Sequence, residues 1–356
     1  MGATSIEWTD VAWPVLNGCR RISPGCLHCY AEKLTASRLR NHPKYKGLAV
    51  YTENGPRWTG ESRLWTKDLT MPLRLRAPSN IFVCDMGDLF FEGNSDEEID
   101  SIFGVMWACL YLGKHGIAGH TFQVLTKRAQ RMREYLSTDR RKLWAQRAVH
   151  YGGEYDPDGI YDQTMERSKE PHPRIVLMVS AENQETAEER IPELLATPAA
   201  LRGVSAEPLL GPLDLSRFMW PVHSHWPAGY SSPEAAIASG ATVTRHRQAL
   251  VSAHARFLDW VIVGGESGPK ARPYPLDAAR DIIRQCREAH VTVFHKQVGA
   301  LVETGEAEAL GKSEWGPYVR FHEDADLLKT KHPKGADPSE WPEDLRVREF
   351  PKVSQA

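Results

Sequence analysis

Three of the six cysteines fall within one short stretch, Asn17-Gly18-Cys19-Arg20-Arg21-Ile22-Ser23-Pro24-Gly25-Cys26-Leu27-His28-Cys29-Tyr30-Ala31, spaced C-x6-C-x2-C. Gly18, Pro24 and Gly25 predict a turn-rich loop rather than a helix or strand. Three thiolates on a curled backbone suit a soft metal or an iron–sulfur cluster. A structural zinc site needs four closed ligands. Cys19, Cys26 and Cys29 supply three, and His28 is the nearest fourth, although it lies between the two ligands of a C-x2-C pair. No second C-x2-C pair follows. A disulfide leaves one of the three thiols over. The third reading is a four-iron cluster on three cysteines, with one iron open as a reactive position. Cys84, Cys109 and Cys286 lie far apart in stretches that read as strand or helix interior. Buried cysteine there acts as a small hydrophobe.

The elements that must position this loop follow in order along the chain. Residues 6–17, with Ile6, Trp8, Val11, Trp13 and Val15, are β-prone and predict a first strand feeding the loop. A helix is expected over 31–40, then a Pro-, Gly- and Trp-rich connection over 41–78. Residues 80–84 read as a buried strand ending in Asp85-Met86-Gly87-Asp88. Ser95 and Glu98 fit a capping box opening a helix to about 112. Strands are expected at 120–125, 174–179, 201–205, 259–263 and 291–295. Helices are expected at 127–136, from about 184 to 195, and at 276–290, the last with Ile282, Ile283, Cys286 and Ala289 on one face.

Short apolar strands alternating with helices predict a parallel sheet in an α/β fold. Polar residues recur where the strands end: Asp85 and Asp88; Thr126, Lys127 and Arg128; Ser180, Glu182 and Asn183; Ser205 and Glu207; Glu266 and Ser267; Lys296 and Gln297. One such residue is usually a cap, whereas six consecutive sets point to the shared C-terminal mouth of a (β/α) barrel. The expected architecture is a partial (β/α)6-type TIM barrel over residues 1–300, with insertions at about 138–173 and 216–256. Residues 301–356 form an irregular C-terminal extension. Gly264-Gly265-Glu266-Ser267-Gly268 is not a dinucleotide fingerprint and is read as a close backbone approach to a cofactor.

The 356 residues are 41% hydrophobic and 25% charged with a net charge of −2, which gives no global basic field for nucleic acid. No apolar leader or long apolar run occurs, so neither a signal peptide nor a membrane span is expected, and free clustered cysteines suit a reducing cytoplasm. Residues 127–147 carry eight Lys or Arg against Glu134 and Asp139, a local basic face able to meet phosphate, although such faces are usually only solvated. The eleven tryptophans could line a base-stacking pocket, although packing and loop anchoring are the commoner roles. His223-Ser224-His225 could bind a metal, but two histidines in a Pro/Ser-rich insertion are more often simply exposed.

The cysteine triad after an N-terminal strand, ending Cys-x-x-Cys-Tyr, resembles the radical S-adenosylmethionine (radical SAM) superfamily, whose common spacing is C-x3-C-x2-C; here the first gap is six. The stretches 18–31, Leu125-Thr126-Lys127-Arg128, 204–213 and 264–269 are similar to a radical-SAM-like family of phage and bacterial proteins of unknown function, in order over most of residues 6–300. The resemblance implies a 4Fe-4S cluster on Cys19, Cys26 and Cys29 and reductive cleavage of S-adenosylmethionine to a 5′-deoxyadenosyl radical. It implies that Tyr30 packs by the adenine and that Met86-Gly87-Asp88 holds the methionine amine. Glu182 and Asn183 would meet the ribose, and Lys127 or Arg128 the methionine carboxylate or a substrate phosphate. Glu207, Gly265 and Glu266 complete the cofactor-facing set. Implied partners are a flavodoxin-like or ferredoxin-like electron donor and DNA or a modified nucleotide, in a host cytoplasm if phage-encoded. The implied reaction is rearrangement of an aminoacyl-modified thymidine, with a DNA lesion lyase as a related possibility. A non-catalytic zinc-binding nucleic-acid module is the reading of another class.

Overall fold

The computed structural model describes residues 4–112, 119–154, 156–219, 257–303, 315, 320–321 and 327–353. His223-Ser224-His225 and most of the second expected insertion lie outside them. The chain divides into two compact units, one of Met1–Ser180, Thr197–Leu201 and Val353–Ala356, the other of Ala181–Ala196 and Arg202–Lys352.

In the first unit the apolar runs become four parallel strands, Val11–Trp13, Asn80–Val83, Thr121–Thr126 and Ile175–Ser180, each hydrogen-bonded to the next. The last is buried at every position, as expected of a strand covered on both faces. Its neighbour ends at Thr126, so the basic segment begins immediately at the strand end. The helix Asp96–Leu112 starts with the capping box: the Ser95 N–H donates to Glu98 Oε2 at 3.0 Å and the Glu98 N–H to Ser95 Oγ at 3.3 Å. From Ile99 to Leu112 every residue of this helix is buried. A helix apolar all round needs cover on several sides. The stretch expected as an insertion at 138–173 supplies it, forming the helices Arg141–Gly152 and Pro157–Arg167, which pack on it. Residues 41–78 hold the hairpin Ala49–Thr52 and Gly55–Trp58.

In the second unit, which holds Leu201–Ala206 from Arg202 onward, this strand pairs in parallel with Trp260–Gly264 and that in turn with Thr292–Gln297, through residues 203–206, 260–264 and 292–297. The helices Gln184–Ala196 and Leu276–Glu288 accompany them. Ile282, Ile283, Cys286 and Ala289 are all buried, as the helical spacing predicts. Beyond residue 300 the described chain is largely irregular, with short strands and 3-10 turns, but it buries Leu328, Trp341 and Leu345 and returns to bridge Arg348 to Phe294. The fold is therefore mixed α/β with parallel strands. Among the described residues no helix is long and apolar enough to cross a membrane.

Candidate functional site

The cysteine loop leaves the C-terminal end of the first parallel strand. After Trp13 the chain makes the two-residue strand Leu16–Asn17, paired antiparallel with Arg63–Leu64, and turns at Gly18 with φ +97°. Gly18 bridges Gly87 in parallel, and its N–H donates to the Met86 carbonyl at 3.2 Å. A Cβ on Gly18 would stand 2.2 Å from the Glu61 carbonyl oxygen, and one on Gly87 2.8 Å from that of Leu16. Glycine at 18 lets the loop pass close to Glu61, and glycine at 87 lets the end of the second strand approach the loop. Pro24–Cys26 then forms a 3-10 turn, and Cys29 precedes the short helix Tyr30–Ala36.

Two arginines of the chain fix the loop. Arg21 pairs with Glu32, which is wholly buried, and also donates to the Pro56 carbonyl at 3.1 Å. Glu32 accepts the Trp58 N–H at 2.8 Å as well, so loop, helix and hairpin share one carboxylate. Arg128, just after the third strand, reaches from Asp88 (3.1 Å) to the carbonyl of Arg20 (2.8 Å), inside the cysteine spacing. Asp88 is buried and also accepts from the Thr126 hydroxyl at 2.6 Å and from the N–H groups of Phe90 and Lys127, each at 3.0 Å. Both its oxygens are thus occupied by the chain's own donors, and Asp88 ties strand ends together.

All three clustered cysteines are free and half-buried. Burial first, then the charges of Asp88 and Cys29, push the Cys19 thiol up to about 12, while Arg128 opposes this. Burial also raises Cys29, with Cys26 adding to it. Cys29 therefore interacts electrostatically with both of the others. Thiols raised in this way, Cys19 and Cys29, become thiolates only with compensating positive charge, which a bound metal centre provides. Among the described residues no group of three or more His, Cys, Asp or Glu side chains is drawn together so as to hold one metal ion. A 4Fe-4S cluster takes each cysteine on its own iron, so it asks for three thiolates around one loop rather than convergence on a single ion. The donor set fits that group in kind.

The remaining expected residues of this unit have specific places. Tyr30 is 46% exposed, and its hydroxyl donates to the Asp85 carbonyl at 2.5 Å. Met86 is buried with Ala31 and Tyr45 in a small core against which Cys29 packs. Lys127 is half-buried, and its backbone N–H serves Asp88. Sequence reasoning placed Asp85 at a strand end without a role and missed its neighbours Lys44 and Tyr45. Burial raises the Asp85 carboxyl from 3.8 to about 6, against the pull of Lys44, and its Oδ1 is buried without a partner. Lys44 itself is buried and pairs with Asp68 at 2.7 Å. Burial, followed by the charges of Asp85 and Asp68, pushes Tyr45 up to about 12. A carboxylate directly after a buried strand was the available signal for Asp85.

In the second unit, Glu182 is wholly buried and pairs with Arg190 at 2.9 Å. Asn183 Oδ1 accepts the Thr186 N–H at 3.0 Å, so its amide caps the following helix. Glu207 meets Lys296 at 2.9 Å and accepts the Ser205 hydroxyl at 3.2 Å. A Cβ on Gly265 would stand 2.7 Å from the Val298 carbonyl oxygen, and the Gln297 amide donates to the Gly265 carbonyl at 2.6 Å. The close backbone approach expected at this glycine is thus made to the chain itself. Glu266 pairs with Arg272 and accepts its N–H at 2.9 Å, closing the next turn. The unit therefore gathers Ser205, Glu207, Gly265, Lys296 and Gln297, whereas Glu182, Asn183 and Glu266 serve local structure.

Neither a search of curated proteins nor one of solved structures found a match. A family model described as a protein of unknown function (DUF5131) matches residues 3–334, and the chain belongs to that family.

Proposed function

We propose that the chain is a radical SAM enzyme on a partial (β/α) barrel, with Cys19, Cys26 and Cys29 holding a 4Fe-4S cluster. The observation that carries this reading is the anchored loop. Three free thiols hang from the C-terminal end of the first of four parallel strands, where (β/α) folds place their active sites, and Gly18, Arg21 and Arg128 fix the loop from three directions. Cys19, Cys26 and Cys29 would hold the cluster, which when bound would supply the single electron for reductive cleavage of S-adenosylmethionine and hydrogen abstraction from substrate. Around it, Tyr30 offers an exposed ring beside Cys29 for the adenine. Asp88 is occupied, so the carboxylate best suited to the methionine amine is Asp85, with its unpartnered oxygen. In the second unit the Glu207–Lys296 pair is the polar group for the remainder of the cofactor or for substrate. The substrate this reading carries is a modified nucleobase in DNA, with rearrangement of an aminoacyl group on thymidine as the reaction and lesion cleavage as its relative. A flavodoxin-like or ferredoxin-like protein supplies the electron.

The test is protein purified and reconstituted without oxygen. The expected product is brown, with about four irons and matching sulfide per chain. It forms 5′-deoxyadenosine when dithionite and S-adenosylmethionine are added. Cys19→Ala, Cys26→Ala and Cys29→Ala each lose the visible absorbance. A colourless protein loaded with zinc, or full iron retained in Cys26→Ala, overturns the assignment.

A further inference from the structure

A second candidate site lies within the first unit, away from the cysteine loop. A cavity of about 410 Å³ opens where Ile175 begins its strand, the end opposite to the one from which the loop leaves. That volume is within the range of roughly 300–1,000 Å³ typical of small-molecule sites. One wall is aromatic: Phe103 stacks on Trp144 at 5.0 Å and 14°, and Trp107 lies beside Trp144 at 6.5 Å and 23°. Trp107 is 3% exposed, and its indole N–H has no partner, although the Trp144 N–H is satisfied by the Tyr135 hydroxyl at 3.0 Å. A buried donor left unmade is unfavourable and is commonly completed by a ligand or a water.

The rim carries the cations Arg140, Arg141 and Lys169 beside the carboxylates Asp139 and Glu170, and two of the cations are loosely held. Arg140 is fixed on the buried Asp100 by contacts of 2.7 and 2.6 Å. Arg141 pairs only with Asp139, which is 64% exposed, and Lys169 pairs with the equally exposed Glu166. Exposed pairs of this kind contribute little, so a phosphate can take over either cation. Ser137 at the mouth is exposed. Arg140 and Arg141 of the basic stretch and two of the tryptophans, Trp107 and Trp144, thus meet at one cavity.

We infer that this cavity binds a single nucleotide unit, its base against the Phe103, Trp107 and Trp144 wall with a ring acceptor on the Trp107 N–H, and its phosphate at Arg141 and Lys169. Aromatic faces beside cations are the general means of holding an unstacked base and its phosphate. The unit comes either from a free mononucleotide or from a single strand. The site is independent of the cysteine chemistry, so the metal-free full-length chain serves for the test.

Titration calorimetry with 5′-AMP and 5′-TMP, and in a second arm with the octanucleotide dA8, reads both sources. Saturable one-to-one binding of a mononucleotide assigns the site to free nucleotides, and binding of dA8 alone assigns it to a strand. In either arm Arg141→Ala and Trp107→Phe weaken binding about tenfold, and Ser137→Trp, which fills the mouth from an exposed position, abolishes it. Absence of heat in both arms up to about 1 mM, the weak end of specific binding, overturns the inference. Binding that survives both Ser137→Trp and Arg141→Ala, which lie on the rim and leave the core untouched, overturns it equally.

Discussion

Replacing Arg128 separates two tasks of its guanidinium, on Asp88 and on the Arg20 carbonyl. Its third contact, at 3.3 Å to the 60% exposed Glu92, is screened by solvent and adds little. The side chain is 4% exposed and Asp88 7%, so the pair is desolvated. Breaking a buried pair by removing one partner destabilises by about 3–5 kcal/mol, because a charge is left uncompensated. Asp88 would keep three donors, Thr126 Oγ1 and the N–H groups of Phe90 and Lys127, so Arg128→Ala belongs at the low end, near 3 kcal/mol. Arg128→Lys keeps a cation for Asp88 but cannot also span to the Arg20 carbonyl, held at 2.8 Å in the parent. Its loss is that of one hydrogen bond from a charged donor, about 1.5 kcal/mol. Urea unfolding measures both, and the rate of Cys19 alkylation in the folded, metal-free protein reports the loop. Both variants free the loop and speed alkylation, but only the alanine variant loses the full stability. Equal destabilisation by the two, or an unchanged alkylation rate in both, refutes the division of labour.

Gly18→Ala should destabilise by more than about 1 kcal/mol in the same unfolding experiment, since φ is +97° and the new Cβ meets the Glu61 carbonyl at 2.2 Å. Asp85 has a folded pKa raised from 3.8 to about 6, so it adds stability that is fully present below pH 3.8 and lost as pH rises through 6. Asp85→Asn should remove that loss, gaining about 2–3 kcal/mol at pH 7.5 and little at pH 4, and an equal gain at both pH values contradicts the burial argument. His295 behaves oppositely: burial lowers it from 6.5 to about 3, beside Tyr274 at 2.8 Å, so its contribution is present above pH 6.5 and is lost as pH falls toward 3. His295→Gln should flatten that part of the stability profile, as read by thermal unfolding across pH 3–7.

The parallel strands were legible because Ile, Val and Leu runs buried on both faces leave little alternative, and the Ser95–Glu98 box and the Cys286 face were legible because their partners lie within a turn or two. The hairpin over 49–58 carried its signal in Asn54-Gly55, a strong turn dipeptide that a Pro- and Gly-rich background obscured. The helices at 141–152 and 157–167 escaped notice because their glycines and prolines read as breaks. The demand for them lay elsewhere, in a helix from 96 to 112 too apolar to stand uncovered. The strand-end residues show a different limit. Polar side chains at six strand ends predicted a shared mouth, yet Asp88, Asn183 and Glu266 spend their oxygens on neighbours in the chain. A sequence shows that a carboxylate stands at a strand end but not which donor reaches it first.

That limit matters most at the cysteines. Cys19, Cys26 and Cys29 announce themselves by type and spacing, but their placement depends on Arg128, 108 residues from the Arg20 carbonyl it holds. No periodicity links such a pair. The same guanidinium joins the end of the third strand to Asp88 after the second and to the loop after the first. The loop is therefore positioned by three strand ends at once, and a disturbance at any one of them reaches the thiols. This coupling makes the loop more than a turn with three thiols: its geometry is a property of the parallel strands beneath it, as a site that holds side chains at fixed separations requires.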